Sequence, residues 1–315
     1  MIFNRLESLI VTISNLDSTI KKPKGQKGKT IMTATTYLKD NGKADYGFLI
    51  QQAIKEPGTI AGCYSLFHDY SLLNTMVVGM QQMKRFGTIT PIKGFRAWND
   101  LNRKVKRGEK ALEVLFPVFG YFPLKDENGL EVKDEKTGKV KMRKYVKGFI
   151  PKHIHFAYSQ TEILDKSKEE KKISKVELKQ FDYKAVCEKF NIKLIPYDMV
   201  DGNCQGYARV DKQELAINPA ATQPIKTAVH EIAHCLMHKD SKLSRELKEV
   251  QAESVTYIVC TILGASEQTL KESRGYIQNW LKQNELTDDI SKEIINTANK
   301  ILETGTGKQS KSERE

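Results

Sequence analysis

The spacing of apolar and polar residues changes period several times along the chain. Residues 2–20 repeat apolar side chains at helical intervals, and "KKPKGQKGKT" (21–30) has five lysines and no apolar residue, so a helix followed by a basic linker is expected. From 37 to 83 the pattern is mostly helical, and "AGCYSLFHDYSLLNTMVVGMQQMKRFG" (61–87) predicts a long amphipathic helix closed by Gly87. The period then falls towards two. "ALEVLFPVFGYF" (111–122) predicts one or two strands, and the turn pairs Asn128-Gly129 and Thr137-Gly138 predict a hairpin with a charged excursion over 125–145. "HIHFAYSQTEIL" (153–164) predicts a strand returning to the sheet.

The second half opens with a helix near 181–190. A strand at "IKLIPY" (192–197) and a hairpin over 204–218 follow. A helix containing "TAVHEIAHCLMH" (227–238) leads through a charged connector to an apolar helix over 250–263, stopped by Gly264, and amphipathic helices continue to 302. These elements predict an α+β protein of two domains. The expected boundaries are an N-terminal helix and basic linker (1–36), a first domain (37–164), a charged linker (165–178), a second domain (179–303) and a tail (304–315).

Length and charge sharpen this division. A chain of 315 residues exceeds what one compact core usually holds. Residues 1–165 carry 27 Lys and Arg against 16 Asp and Glu, a balance of +11, whereas the other 150 residues carry 24 against 23. The first half is therefore expected to seek a polyanion and the second to be near neutral. No signal peptide is expected at the start, and the longest apolar run, 255–265, is too short to cross a bilayer. Five widely spaced cysteines without a C-x-x-C pair argue against disulfides or thiolate zinc ligation, and for a reducing cytosol.

The candidate chemistry lies in "HEIAH". Residues four apart share a helix face, so His230 and His234 can offer imidazole nitrogens to one ion, with Glu231 beside it as general base. A catalytic zinc takes three protein ligands and keeps one position open for water. Glu253, a carboxylate in the otherwise apolar "VQAESVTYIVC", is the expected third ligand, and Glu249 is the reserve or an acceptor that orients a histidine. His238, Tyr207 and Tyr257 are candidate second-sphere or oxyanion donors, and "ELAIN" (214–218) is a candidate edge for an extended peptide. In the basic half, "WNDLNRKVKRGEK" (98–110) gathers Arg103, Lys104, Lys106, Arg107 and Lys110, with Tyr64, Phe67, Tyr70, Phe86, Phe95, Trp98, Phe116, Phe119 and Tyr121 nearby, most of these rings being expected in the core. Cations that track phosphates beside rings that stack on bases suit sequence-tolerant single-strand binding.

Three stretches, "YSLLNTMVV" (70–78), "VKRGEKALEVLF" (105–116) and "FAYSQTEI" (156–163), resemble the single-stranded-DNA-binding domain of ArdC-type antirestriction proteins. "LAINPA", "HEIAHCLMHKDSKLSREL" and "EVQAESVTYIVC" resemble the zinc metallopeptidase domain that those proteins share with the ImmA/IrrE family. The resemblance implies a protein of plasmids, conjugative elements or phages that shields incoming single-stranded DNA from restriction, with a restriction enzyme or a protein substrate as a further partner. It also implies Zn2+ on His230, His234 and Glu253, Glu231 as base, and Tyr70 and Asn74 within the DNA-binding set. After the motif this chain reads "CLMH", keeping His238 where the family usually places an aromatic-led "W-T-G-H". Two other readings stay open: cleavage of a repressor in the ImmA/IrrE manner, and protection by DNA binding alone around a structural zinc.

Overall fold

The computed structural model describes residues 37–56, 60, 63–67, 70–169, 181–199 and 204–307. The expected N-terminal helix and basic linker, most of the 165–178 linker and the tail from 308 lie outside the described residues. The described residues form one compact unit.

The first part is helical, then β. Helix α1 (Tyr46–Lys55) starts where the Asp45 carboxylate accepts from the Phe48 N–H, and α2 (Cys63–Leu66) is a single turn. Helix α3 (Leu72–Phe86) is capped by Ser71 and ends at Gly87, whose φ of 71° lets the left-handed cap form, as the sequence predicts. Strand β1 (Ile92–Gly94) leads into a short helix, α4 (Phe95–Asn99), which the sequence pattern did not reveal. After β2 (Arg103–Val105), strands β3 (Leu112–Pro123) and β4 (Met142–Ala157) run antiparallel as one long hairpin. The expected single strand over 153–164 is broken. A 3-10 turn at Tyr158–Gln160 separates β4 from β5 (Thr161–Ile163), and the Gln160 side chain accepts from the Ala157 N–H at the bend. One sheet has the order β1-β4-β3, and β2 pairs with β5.

The second part holds α5 (Tyr183–Lys189), β6 (Lys193–Leu194), β7 (Gly206–Arg209), β8 (Glu214–Ile217) and helices α6 (Pro224–Met237), α7 (Arg245–Ile262), α8 (Glu267–Leu281) and α9 (Asp288–Gly305). Its sheet order is β6-β8-β7, which places "ELAIN" in the middle and makes β7 the edge strand beside α6. Helix α7 starts at the cap Ser244, so the expected charged connector is already helical and Glu249 shares the helix with Glu253.

The main core draws on both sides of the 165–178 segment: Tyr37, Leu49, Met76 and Leu115 pack in one cluster with Val229, Ile258 and Ile295. A smaller core of Cys63, Phe67, Val78, Ile92, Leu112, Val114 and Ala157 lies under the base of the hairpin. No described helix is long and apolar enough to cross a membrane.

Candidate metal centre and nucleic-acid interface

Helix α6 begins with Pro224 at its first turn, where a missing N–H carries no penalty, and presents His230 and His234 on one face. Their Nε2 atoms lie 3.1 Å apart, and Glu249 Oε2 of α7 lies 3.5 Å from the first and 3.6 Å from the second. The three ligand atoms fall within 4.8 Å of one another. Glu253 lies on the other side of His230, with Oε1 3.5 Å from Nδ1. Of the two carboxylates expected as third ligand, Glu249 rather than Glu253 is the one that lies near both Nε2 atoms. Glu249 and Glu253 are four apart on the same face of α7, and the packing of α7 on α6 brings Glu249 to the two Nε2 atoms while Glu253 faces the back of the first imidazole. A histidine whose Nδ1–H points at a carboxylate carries its lone pair on Nε2. With His230 in that tautomer, two Nε2 lone pairs and a carboxylate oxygen surround one point, an acceptor set that a cation satisfies. His, His and Glu with an exposed side fit a divalent ion with an open position.

Without an ion, the imidazoles of His230 and His234, donating from Nε2 in their protonated forms, hold the Glu249 carboxyl well below the usual carboxylate range. Burial works against the charged form of His230, but Glu249, Glu253 and Glu231 together move its pKa upward. Glu231 moves upward through burial, opposed by the two histidines and by a hydrogen bond from the Ala208 backbone of β7. Gly206 on the same strand has no room for a side chain: a Cβ would come within 2.6 Å of Thr227 Cγ2 and 2.9 Å of the Ala216 carbonyl oxygen.

The second-sphere candidates divide. His238 is buried, its Nδ1 2.8 Å from His234 Nδ1 and its Nε2 3.1 Å from Gln251 Oε1, and burial pushes its pKa down to about 4. Tyr257 instead donates its hydroxyl to the Ala53 carbonyl, pinning α7 to α1, and Tyr207 hydrogen bonds Asp198. Both depart from the expected roles because nearer acceptors take their hydroxyls.

Several expected DNA contacts are structural. Trp98 is fully buried and donates Nε1–H to the Phe156 carbonyl. The Asn74 side chain bonds both the N–H and the carbonyl of Leu115, closing α3 onto β3. Arg103 is buried over the Tyr158 ring and donates to Thr161 Oγ1 and its carbonyl. Tyr70 is half-buried and meets Phe67 and His155 edge-on. For Trp98, Asn74 and Arg103 a chain partner thus holds the group that was expected to meet DNA, whereas Tyr70 stays half-buried. Lys104, Lys106, Arg107 and Lys110 are exposed. Lys104 lies 3.4 Å from Glu162, and Lys106 donates to the Ser159 carbonyl.

The outer half of the β3–β4 hairpin gathers rings and cations that the sequence pattern singled out only in part. Phe116, Phe119, Tyr121, Phe122, Tyr145 and Ile150 are exposed there. The ammonium of Lys144 sits 3.8 Å from the Phe119 ring centroid and that of Lys152 4.6 Å from that of Phe116. Tyr145 lies flat on Gly120, where a Cβ would come within 2.5 Å of the ring, and packs 5.5 Å from Phe122. Across both strands the only acidic residue is Glu113, which is buried at the base, while β4 carries Arg143, Lys144, Lys147 and Lys152. The signal that could have singled out this arm is the acid-free sequence of β4 facing a strand too rich in rings for a two-stranded ribbon to bury.

The family model described as the N-terminal domain of anti-restriction factor ArdC matches residues 49–149. Among solved structures, the metal-free crystal structure of antirestriction protein ArdC from plasmid R388 is similar with a TM-score of 0.47 and 17% identity, covering 84% of this chain and 99% of that one. Its Mn(II)-bound structure gives a TM-score of 0.44 and 15% identity over the same shares. No curated protein is significantly similar to the chain. The resemblance drawn from the sequence is thus borne out over residues 49–149, the stretch that matches the model of the ArdC N-terminal domain.

Proposed function

We propose that this protein is an antirestriction factor of a mobile element or phage that binds single-stranded DNA through the β3–β4 arm and carries a zinc-dependent peptidase centre on α6 and α7. The observation that carries the DNA-binding reading is the arm itself, a run of exposed rings and cations inside the ArdC-matched segment. Unpaired bases present two faces for stacking, each stack contributing about 1–3 kcal/mol, and the lysines follow the phosphates. A duplex hides those faces, so the arm favours single strands. The test is fluorescence-anisotropy titration of single-stranded and duplex oligonucleotides at low and high salt, with Phe119→Ala/Tyr145→Ala beside wild type. Preference for single strands that the variant loses supports the reading; equal binding by the variant rejects it.

The peptidase reading rests on His230, His234 and Glu249 converging next to Glu231. A bound zinc would polarise a carbonyl and lower the pKa of water. Glu231, its proton affinity raised by burial, takes a proton from the attacking water and returns it to the leaving amine. The β7 edge is suited to align an extended peptide by backbone hydrogen bonds, with Gly206 keeping that strand close to α6. Incubating the protein with restriction-system proteins or element repressors, with Glu231→Gln as control, tests hydrolysis. Cleavage by wild type alone supports it, and protection of DNA by Glu231→Gln without cleavage favours occupancy as the mechanism.

A further inference from the structure

Behind the histidines runs a hydrogen-bonded chain into the last helix. His234 Nδ1 lies 2.8 Å from His238 Nδ1, His238 Nε2 lies 3.1 Å from Gln251 Oε1, and Gln251 Nε2 donates to Glu293 Oε2 over 2.9 Å. Gln251 is fully buried and His238 nearly so, while Glu293 of α9 is half-buried at the outer end. In each link one atom must donate and the other accept, so the polarity of one link sets the rest.

An ionised carboxylate only accepts. Glu293 therefore fixes the Gln251 amide with its NH2 outward and its oxygen towards His238. That oxygen requires a proton on His238 Nε2, which leaves the lone pair on His238 Nδ1. The His234 proton then sits on Nδ1, and the lone pair on Nε2 faces His230 and Glu249. Reversing the amide would set its oxygen against the Glu293 carboxylate and put a proton on His234 Nε2, the position a metal needs free.

We infer that Glu293, acting through Gln251 and His238, is a positioning residue that sets the tautomer of His234 and thereby primes it as a metal ligand. The inference rests on the reading of His230, His234 and Glu249 as a metal centre. Gln251 and Glu293 are linked to His234 through His238, and they act through the direction of the chain. A negative charge at its outer end also strengthens electron donation from His234, as a carboxylate does behind a metal-bound imidazole.

The experiment uses the full-length protein. Zinc affinity is measured by competition with a chromophoric chelator, and the His234 tautomer is read from imidazole 15N shifts of the metal-free protein. Gln251→Leu, which breaks the chain, and Glu293→Lys, which turns its outer end into a donor, are expected to weaken zinc about 10- to 100-fold. In Glu293→Lys the His234 proton should shift towards Nε2. The swap Gln251→Glu/Glu293→Gln again presents an acceptor to His238 and should return affinity to within a few-fold of wild type, a rescue that loss of packing would not give. Wild-type zinc affinity and an unchanged tautomer in Glu293→Lys would overturn the positioning role alone. Absence of zinc binding by wild type would overturn the metal-centre reading and this inference with it.

Discussion

The metal centre and the hairpin arm meet their surroundings in opposite ways. Around His230 and His234 nearly every polar atom has a partner within the chain, through Glu249, Glu253, His238 and Gln251. The exception is Glu253 Oε2, buried without a hydrogen-bond partner. Along the arm the large rings of Phe119, Tyr121 and Phe122 face solvent, and the Lys144 ammonium lies over the Phe119 ring. A half-buried site whose acceptors converge calls for a small cation, whereas an exposed ribbon of rings and cations calls for an extended polyanion with flat faces. The two proposed recognition chemistries should therefore fail independently.

The largest effect expected is on the metal centre. His230→Ala/His234→Ala should abolish zinc binding measured by elemental analysis after dialysis, while anisotropy shows unchanged affinity for single-stranded DNA. Glu231→Gln should retain the metal and reduce hydrolysis of a cleaved protein about 10²- to 10⁴-fold, read in single-turnover assays. If both sites fell together in the first variant, the comparison would break.

Smaller effects sharpen the arm. Alanine at Phe119, Tyr121 or Tyr145 should each weaken single-strand binding by about 1–3 kcal/mol, and Lys144→Ala should flatten the slope of log affinity against log salt by about 0.7. Trp98→Ala should instead lower the melting temperature, since removing a buried indole costs about 3–5 kcal/mol. Its DNA affinity, measured below the new melting point, should stay close to wild type.

The smallest effect concerns pH in the metal-free protein. Glu249 is held below its ordinary 4.5, so the stability it adds is complete above that value and is lost as pH falls through the depressed pKa. His230 is held above its ordinary 6.5, so its contribution is complete below 6.5 and is lost as pH rises through the raised pKa. Urea midpoints should therefore show an extra contribution between pH 4.5 and 6.5 that disappears in Glu249→Gln.

What could be read beforehand follows from how local each constraint is. The i, i+4 spacing on one helix was enough to bring His230 and His234 together, and Gly87 and Gly264 mark helix ends by backbone freedom alone. The choice between Glu249 and Glu253 was not local, since both share a face and only the packing of α7 on α6 separates them. Gln251 and Glu293 are 42 residues apart, and nothing in either neighbourhood announces their bond. Trp98 and Arg103 looked like DNA contacts because composition cannot tell a ring or guanidinium that faces solvent from one that closes a core. In the arm the rings were visible but their exposure was not, because it depends on no third strand, among the described residues, covering the outer half of β3 and β4.

The most direct test of the two-site account measures single-stranded DNA affinity and zinc content on the same samples of wild type, Phe119→Ala/Tyr121→Ala/Tyr145→Ala, and His230→Ala/His234→Ala. The account predicts that the arm variant loses DNA and keeps one zinc per chain, while the histidine variant loses zinc and keeps DNA. Full-strength DNA binding by the arm variant would contradict it.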